Sequence, residues 1–384
     1  MGWLRRNAVL TLCLLCLMSW CAAAEESAES TSASSANALS TTEEVDRLQW
    51  ESIDTQTLDA AAAVSGAELK LNRDFTLNEG LSGLGALFTR RLEEALSSSL
   101  QTTLTLLLAV LFSELAGMLG DWVGAGERFA ALVGALAVTA VSAADVSALM
   151  GLGRQAVNDI WTFSTLLLPV MTAVSAASGS ITGATVRQAA TLLFSHALVT
   201  LMDKVLLPMV YLYTAACTAA AVVDHQGLEE LAKAIRWLVT TTLSALLLAF
   251  TGYLSLTSAA AAGTDAVTLR LTRSVISSLV PVVGGILSNA TETVLSGVMV
   301  LKGIVGTFGV TAVLGLSLTA FVRLGVQYLM YRLVTVLSAV LSGSRVARLI
   351  GDIAGAFALV LSMTGTAALL VLISLFATLA VAVV

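Results

Sequence analysis

A chain of 384 residues that is 57% hydrophobic and 12% charged carries about half the roughly 25% of charged side chains found in an ordinary globular domain. With a mean hydropathy of +0.88, this excludes a water-soluble single-domain enzyme and makes the bilayer the solvent. The formal net charge of −6 is local: residues 25–96 hold five basic and fourteen acidic side chains, and the remainder is nearly balanced. No nucleic-acid partner is expected.

Residues 1–24 have the form of an export signal. Arg5 and Arg6 supply a basic start, Val9 to Trp20 an apolar stretch too short to span comfortably, and Ala22, Ala23 and Ala24 a small-residue cleavage site before Glu25. Cleavage between Ala24 and Glu25 removes Cys13, Cys16 and Cys21 and leaves Cys217 alone, so no intramolecular disulfide or cysteine metal cluster is expected. Residues 25–40, rich in Ser, Ala, Thr and Glu, read as a disordered leader.

From residue 41 to 100 the pattern becomes helical and amphipathic, with Leu81, Leu84, Leu87, Phe88, Leu92 and Leu96 at spacings of one to four. This is an extracytoplasmic helical segment, either a lead-in that packs on the membrane body or a docking surface for a partner. Residues 101–384 form the polytopic membrane domain. Candidate spans are 101–120, 129–150, 160–178, 189–222, 237–257, 304–341 and 355–384, judged against the twenty or so residues a helix needs to cross. The run 189–222 contains Asp203, Lys204 and Pro208 and predicts a broken or kinked helix. The run 304–341, with Arg323 and Arg332 inside it, is expected to fold as a pair of helices, giving about eight spans. The Gly/Ser-rich stretch 275–301 reads as a re-entrant, interfacial or marginal element. A cleaved signal leaves the mature amino terminus outside, and this count would turn both Arg270/Arg273 and Arg345/Arg348 toward the cytoplasm. The fold class is all-α: a polytopic transmembrane helical bundle behind a cleaved signal peptide and a short extracytoplasmic helical segment.

Catalytic signatures are missing from the sequence. There is no Walker A motif, no H-E-x-x-H and no G-x-S-x-G, so no catalytic residue, cofactor or metal site is expected. Ionisable groups inside the apolar runs are Glu114, Asp145, His196, Asp203, Lys204, Arg323 and Arg332; each must pair between helices, reach an interface or line a path for ions or protons. His196 and Asp203, seven residues apart, share a helix face. Gly120/Gly124, Gly179/Gly183 and Gly351/Gly355 have the small-residue spacing that permits close backbone approach.

The densest pattern runs from Asp265 through Arg270 and Arg273 to Pro281-Val282-Val283-Gly284-Gly285, then Leu287-Ser288-Asn289-Ala290, Thr293-Val294-Leu295, Leu301-Lys302 and Val305-Gly306. Pro281 breaks the backbone and paired glycines disfavour a plain helix by about 1 kcal/mol each relative to alanine, which suits an interrupted, packed element lining a cavity. Lys302 should face a cavity, a partner helix or the interface rather than acyl chains.

In these residues the chain resembles the stage III sporulation protein AE family of endospore-forming bacteria, with Asn289 where the family pattern has Asp and Gly303 where it has Asn. The resemblance implies a non-enzymatic subunit of the transenvelope channel or secretion complex joining mother cell to forespore. It implies a place in the mother-cell (outer forespore) membrane, in contact with membrane lipids and with other subunits of the stage III sporulation A complex. A forespore partner across the intermembrane space and support of late forespore gene expression are implied as well. A secondary transporter is the other reading of the composition, and would predict inverted repeats. Leucine at Gly284 or Gly285 is expected to abolish sporulation, and leucine at Gly134 to matter far less.

Overall fold

A computed structural model describes residues 76–121, 126–178, 181–223, 226–279, 284–341 and 344–380. Seven α-helices account for them: α1 (Leu77–Asp121), α2 (Gly126–Ala177), α3 (Ile181–Leu201), α4 (Leu207–Val223), α5 (Gln226–Leu279), α6 (Gly284–Leu341) and α7 (Ser344–Ala380). A π turn, Met202–Leu206, joins α3 to α4. No strand occurs among the described residues, and six helical runs are long and apolar enough to cross a membrane. The expected signal sequence with its Ala24/Glu25 cleavage site, the expected leader, and Pro281 lie outside the described residues.

Helix-favouring sequence explains most of this continuity, and the bilayer explains the rest. In hydrocarbon every backbone group must be satisfied within its own segment, and the many Ser and Thr side chains donate to carbonyls one turn back, as Thr103 does to Ser99 at 2.7 Å and Thr139 to Ala135 at 2.6 Å. Pro169 sits inside α2 without ending it. Pro208 acts differently. It has no N–H to offer the carbonyl of Lys204, and the chain takes one extra residue in the turn before it, where the Leu207 N–H donates to the Met202 carbonyl five residues back. The interruption expected in 189–222 is this π turn.

Cross-helix contacts fix the directions. Gln327 and Phe308 of α6 meet Asp145 and Phe163 of α2, so the two run antiparallel. Tyr331 of α6 stacks edge-on against Phe357 of α7 with centroids 4.9 Å apart, while Leu379 nests on Gly306, so α6 and α7 are antiparallel as well. Ser99 and Ala95 of α1 lie beside Gln327 and Val322 of α6, and these helices are parallel. α3 and α4 run with α6, through Thr191 beside Ser374 and Tyr213 beside Asp352 of α7; α5 returns against α3 at Phe194/Phe250. One bundle results. At its near end α1 begins, α2 is succeeded by α3, α5 by α6, and α7 finishes. At its far end α1 is succeeded by α2, α4 by α5 and α6 by α7.

Four expectations change. The run 304–341 is part of one 58-residue helix rather than a pair, because Arg323 is exposed and Arg332 leans on the Tyr328 ring at 5.5 Å, so neither charge needs a break. With α6 continuous, its two ends face opposite ways, and Arg270/Arg273 cannot share a side with Arg345/Arg348. The segments 129–150 and 160–178 belong to the single helix α2. The boundary drawn at residue 100 falls inside α1, whose apolar run is Gly80–Ala116.

The core is a continuous apolar cluster of all the helices, including Leu106, Val138, Phe163, Val210, Val239, Phe308 and Phe357. The near end of the bundle is uneven. Gly309 packs against Leu167, yet α2 ends ten residues beyond Leu167 while α6 extends twenty-five residues back to Gly284. At 1.5 Å per residue, α6 overhangs the end of α2 by about 22 Å.

Candidate functional site

Among the described residues, two places inside the bundle gather the polar side chains that bear on function. At the junction of α1, α2 and α6, Ser99 Oγ donates to Gln327 Oε1 at 2.6 Å, and Gln327 Nε2 donates to Asp145 Oδ2 at 2.9 Å. The Tyr331 hydroxyl donates to the same carboxylate oxygen at 3.0 Å and lies 3.2 Å from Ser142 Oγ; Thr102 is a further donor to Asp145. A carboxylate is acceptor-only, and here it takes donors from both neighbouring helices. Chemically this is a satisfied lattice: it positions three helices and leaves no nucleophile free to react.

The second place belongs to the family pattern. Lys302 is 1% exposed, and its Nζ has no hydrogen-bond partner among the described residues. Arg187 of α3, 3% exposed, lies within electrostatic reach of it. One and two turns beyond Lys302 on the same helix face come Gly306 and Gly309. A Cβ on Gly306 would collide with the methyl groups of Leu379, and one on Gly309 would come within 2.5 Å of Leu167. The glycines let α7 and α2 close on the face that carries Lys302.

The other predicted positions are less concentrated. Asp265, Arg270 and Arg273 lie in the last third of α5, and Gly284, Gly285, Ser288 and Asn289 in the first two turns of α6. The break expected at Pro281 falls between the end of α5 and the start of α6, and from Gly284 onward the backbone is helical. All of these except Lys302 and Gly306 belong to the parts of α5 and α6 that reach past the near end. Gly134 proves a poor reference position: a Cβ there would collide with Ser113 and come within 2.9 Å of Val346, whereas Gly252 has open space around it. Gly351 and Gly355, by contrast, do mark close approach, to Thr335 and to the Tyr213 hydroxyl.

Among the intramembrane charges, Asp203 pairs with Arg154 at 2.8 Å, and His196 lies against the Trp161 ring at 5.8 Å. The shared face of His196 and Asp203 is thus divided between two different neighbours on α2. At the far end Glu229 pairs with Arg348 at 2.9 Å beside a shallow pocket lined by Cys217, Ala220, Asp352 and neighbours. Sequence reading missed Arg187, Gln327 and Tyr331. The signals were present, as Gln327 and Tyr331 one turn apart in an apolar run and Arg187 shortly after Gly183.

A multi-pass helical bundle whose buried lysine and glycine face fall on one motif defines a narrow class. The chain belongs to the stage III sporulation protein AE family, whose description matches residues 67–382. It is 25% identical over 192 residues to the stage III sporulation protein AE of Bacillus subtilis (strain 168), covering 50% of this chain and 48% of that one. The aligned part thus spans about half the length of that relative. No solved structure matches the fold.

Proposed function

We propose that the chain is a non-enzymatic membrane subunit of the channel or secretion complex between mother cell and forespore, seated in the mother-cell (outer forespore) membrane. Its partners in this reading are other subunits of the stage III sporulation A complex and a forespore protein across the intermembrane space, and its loss stops late forespore gene expression. The observation that carries the reading is the overhang. Of the family motif, Asp265, Arg270 and Arg273 lie on the end of α5 and Gly284, Gly285, Ser288 and Asn289 on the end of α6 that extends about 22 Å past α2, at the same end of the bundle as the start of α1 and hence on the side reached by a cleaved amino terminus. Motif residues on that extension, beyond the core that holds Lys302 and Gly306, suit assembly with a neighbour better than transport through a single chain.

The test is affinity purification of the tagged chain from sporulating cells after mild detergent extraction. Co-purification of other subunits of the stage III sporulation A complex is the expected result. Recovery of the intact protein alone, from cells in which those subunits are present, would remove the reading.

A further inference from the structure

Two buried cations bracket the carbonyl end of α7. Arg187 stands one turn before Thr191 on the same face of α3, and Thr191 meets Ser374 of α7, so Arg187 lies beside the last turn of α7, level with Thr378. Lys302 stands one turn before Gly306 on α6, and Gly306 packs against Leu379, so Lys302 lies a few residues past the end of α7. The two side chains therefore approach one another from α3 and α6, about 7 Å apart in level, and each is within electrostatic reach of the other.

Lys302 lacks an anion. Among the described residues no carboxylate pairs with its ammonium, its Nζ has no hydrogen-bond partner, and the charge that acts on it is the like charge of Arg187. The carbonyl end of α7 supplies roughly half an elementary negative charge, too little for two full cations. Acidic residues are missing from the surrounding helices: α3 has none, α2 none from residue 160 to 177, α6 none from 293 to 341 and α7 none from 353 to 380. The nearest acids in level are Glu79 of α1 and Asp265 of α5. Lys302 is turned instead toward α2 and α7, the helices that Gly309 and Gly306 admit. A buried charge inside an apolar bundle without a protein counter-ion marks a binding site.

We propose that Lys302 and Arg187 together hold a phosphate group that enters from the near end, past the last turn of α7. The chemistry of the pair selects phosphate. A guanidinium fork takes two oxygens of a phosphate and an ammonium takes another as a point charge, so one tetrahedral anion serves both helices at once. A carboxylate has only two oxygens, both in one plane, and serves a single fork. A phospholipid headgroup and a free phosphate share this chemistry, and the experiment separates them. The site rests on burial and charge and is independent of the sporulation reading.

The experiment uses the full chain purified in a neutral detergent, with thermal unfolding followed by tryptophan fluorescence. Phosphatidic acid is compared with diacylglycerol of the same acyl chains, and sodium phosphate with sodium chloride at equal ionic strength. A phosphate that binds the folded protein raises the midpoint by mass action. A rise with phosphatidic acid but not diacylglycerol assigns the site to a lipid headgroup, and a rise with sodium phosphate but not chloride assigns it to a soluble phosphate; either supports the proposal. Lys302→Met should weaken the active phosphate by about tenfold or more, while Arg323→Met, which removes an exposed cation of the same helix, should leave its affinity unchanged. If K302M does not accumulate, Arg187→Gln takes its place with the same expected loss. No phosphate-specific rise in the parent protein, or equal losses in K302M (or R187Q) and R323M, would overturn the proposal.

Discussion

Asp145 is the residue on which three helices agree. Changing Tyr331→Phe removes one donor and lets its neighbours rearrange, and should cost about 1 kcal/mol. Asp145→Leu instead strands the Gln327 amide, the Tyr331 hydroxyl and Thr102 together, and should cost about 3 kcal/mol, since buried donors lose their acceptor with no water to replace it. Unfolding of the detergent-solubilised protein, followed by tryptophan fluorescence, should order the stabilities as parent, Y331F, D145L. Equal midpoints for parent and D145L would show that the lattice is not holding the helices. Gly306 gives a second comparison. Leucine there must displace Leu379, at about 1–3 kcal/mol for overpacking, while Gly252→Leu enters open space. G306L should therefore accumulate less in membranes than G252L, as read by quantitative immunoblot.

Among the elements, the π turn has the sharpest consequence. Because a π turn is one residue inserted into an α-helix, deleting Val205 would return Met202–Leu206 to α-helical pitch and leave α4 close to its present orientation relative to α3. Tyr213 would stay by the Asp352 carbonyl, which it now meets at 3.0 Å, and Cys217 and Val210 would stay in the core. The deletion should therefore accumulate in membranes, whereas deleting Leu212 from the regular turn of α4 would rotate the residues after it by about 100° and should abolish accumulation; immunoblotting of both variants checks this. The start of α6 carries a prediction from the family pattern. With Gly252 as the reference in place of Gly134, Gly284→Leu and Gly285→Leu should abolish sporulation while G252L sporulates near the parental frequency, measured by heat-resistant colony counts.

How far these elements were legible depends on what each helix break required. Pro208 and the adjacent charges announced an interruption, because a missing N–H and two polar side chains are local facts. Arg323 and Arg332 announced one too, falsely: hydropathy cannot tell a charge that leans on a tyrosine ring or reaches the surface from a charge that ends a span. Gly151 to Asp159 misled in the same way, since a polar stretch mid-helix is tolerated when Arg154 finds Asp203 on a neighbouring helix. Lys302 was visible from its motif and its apolar surroundings. Arg187 was not, because only tertiary packing brings it within reach of Lys302. Gln327 and Tyr331, being uncharged, drew no attention until their partner Asp145 was placed.

For the molecule as a whole, the acidic segment 25–96 and the signal-like pattern of residues 1–24 set one further expectation. The mature chain should begin at Glu25, and amino-terminal sequencing of the protein isolated from membranes should return Glu-Glu-Ser-Ala. An intact Met1 terminus in cells with active signal peptidase would contradict a cleaved signal and remove the reason for placing the near end outside the cytoplasm.

The unbroken course of α6 also has a mechanical meaning. Fifty-eight residues in one helix make a rod about 87 Å long, gripped through its middle by α1, α2 and α7 and linked at both ends to other helices. A rod held that way is a lever with its fulcrum in the polar lattice around Gln327. Rocking it by about 5° would sweep the Gly284 tip, some 64 Å from that fulcrum, through about 6 Å, while the shorter arm beyond Gln327 moved by about 2 Å. Small displacements at the far end would be magnified at the tip that carries the motif, and pinning that tip would brace the entire helix.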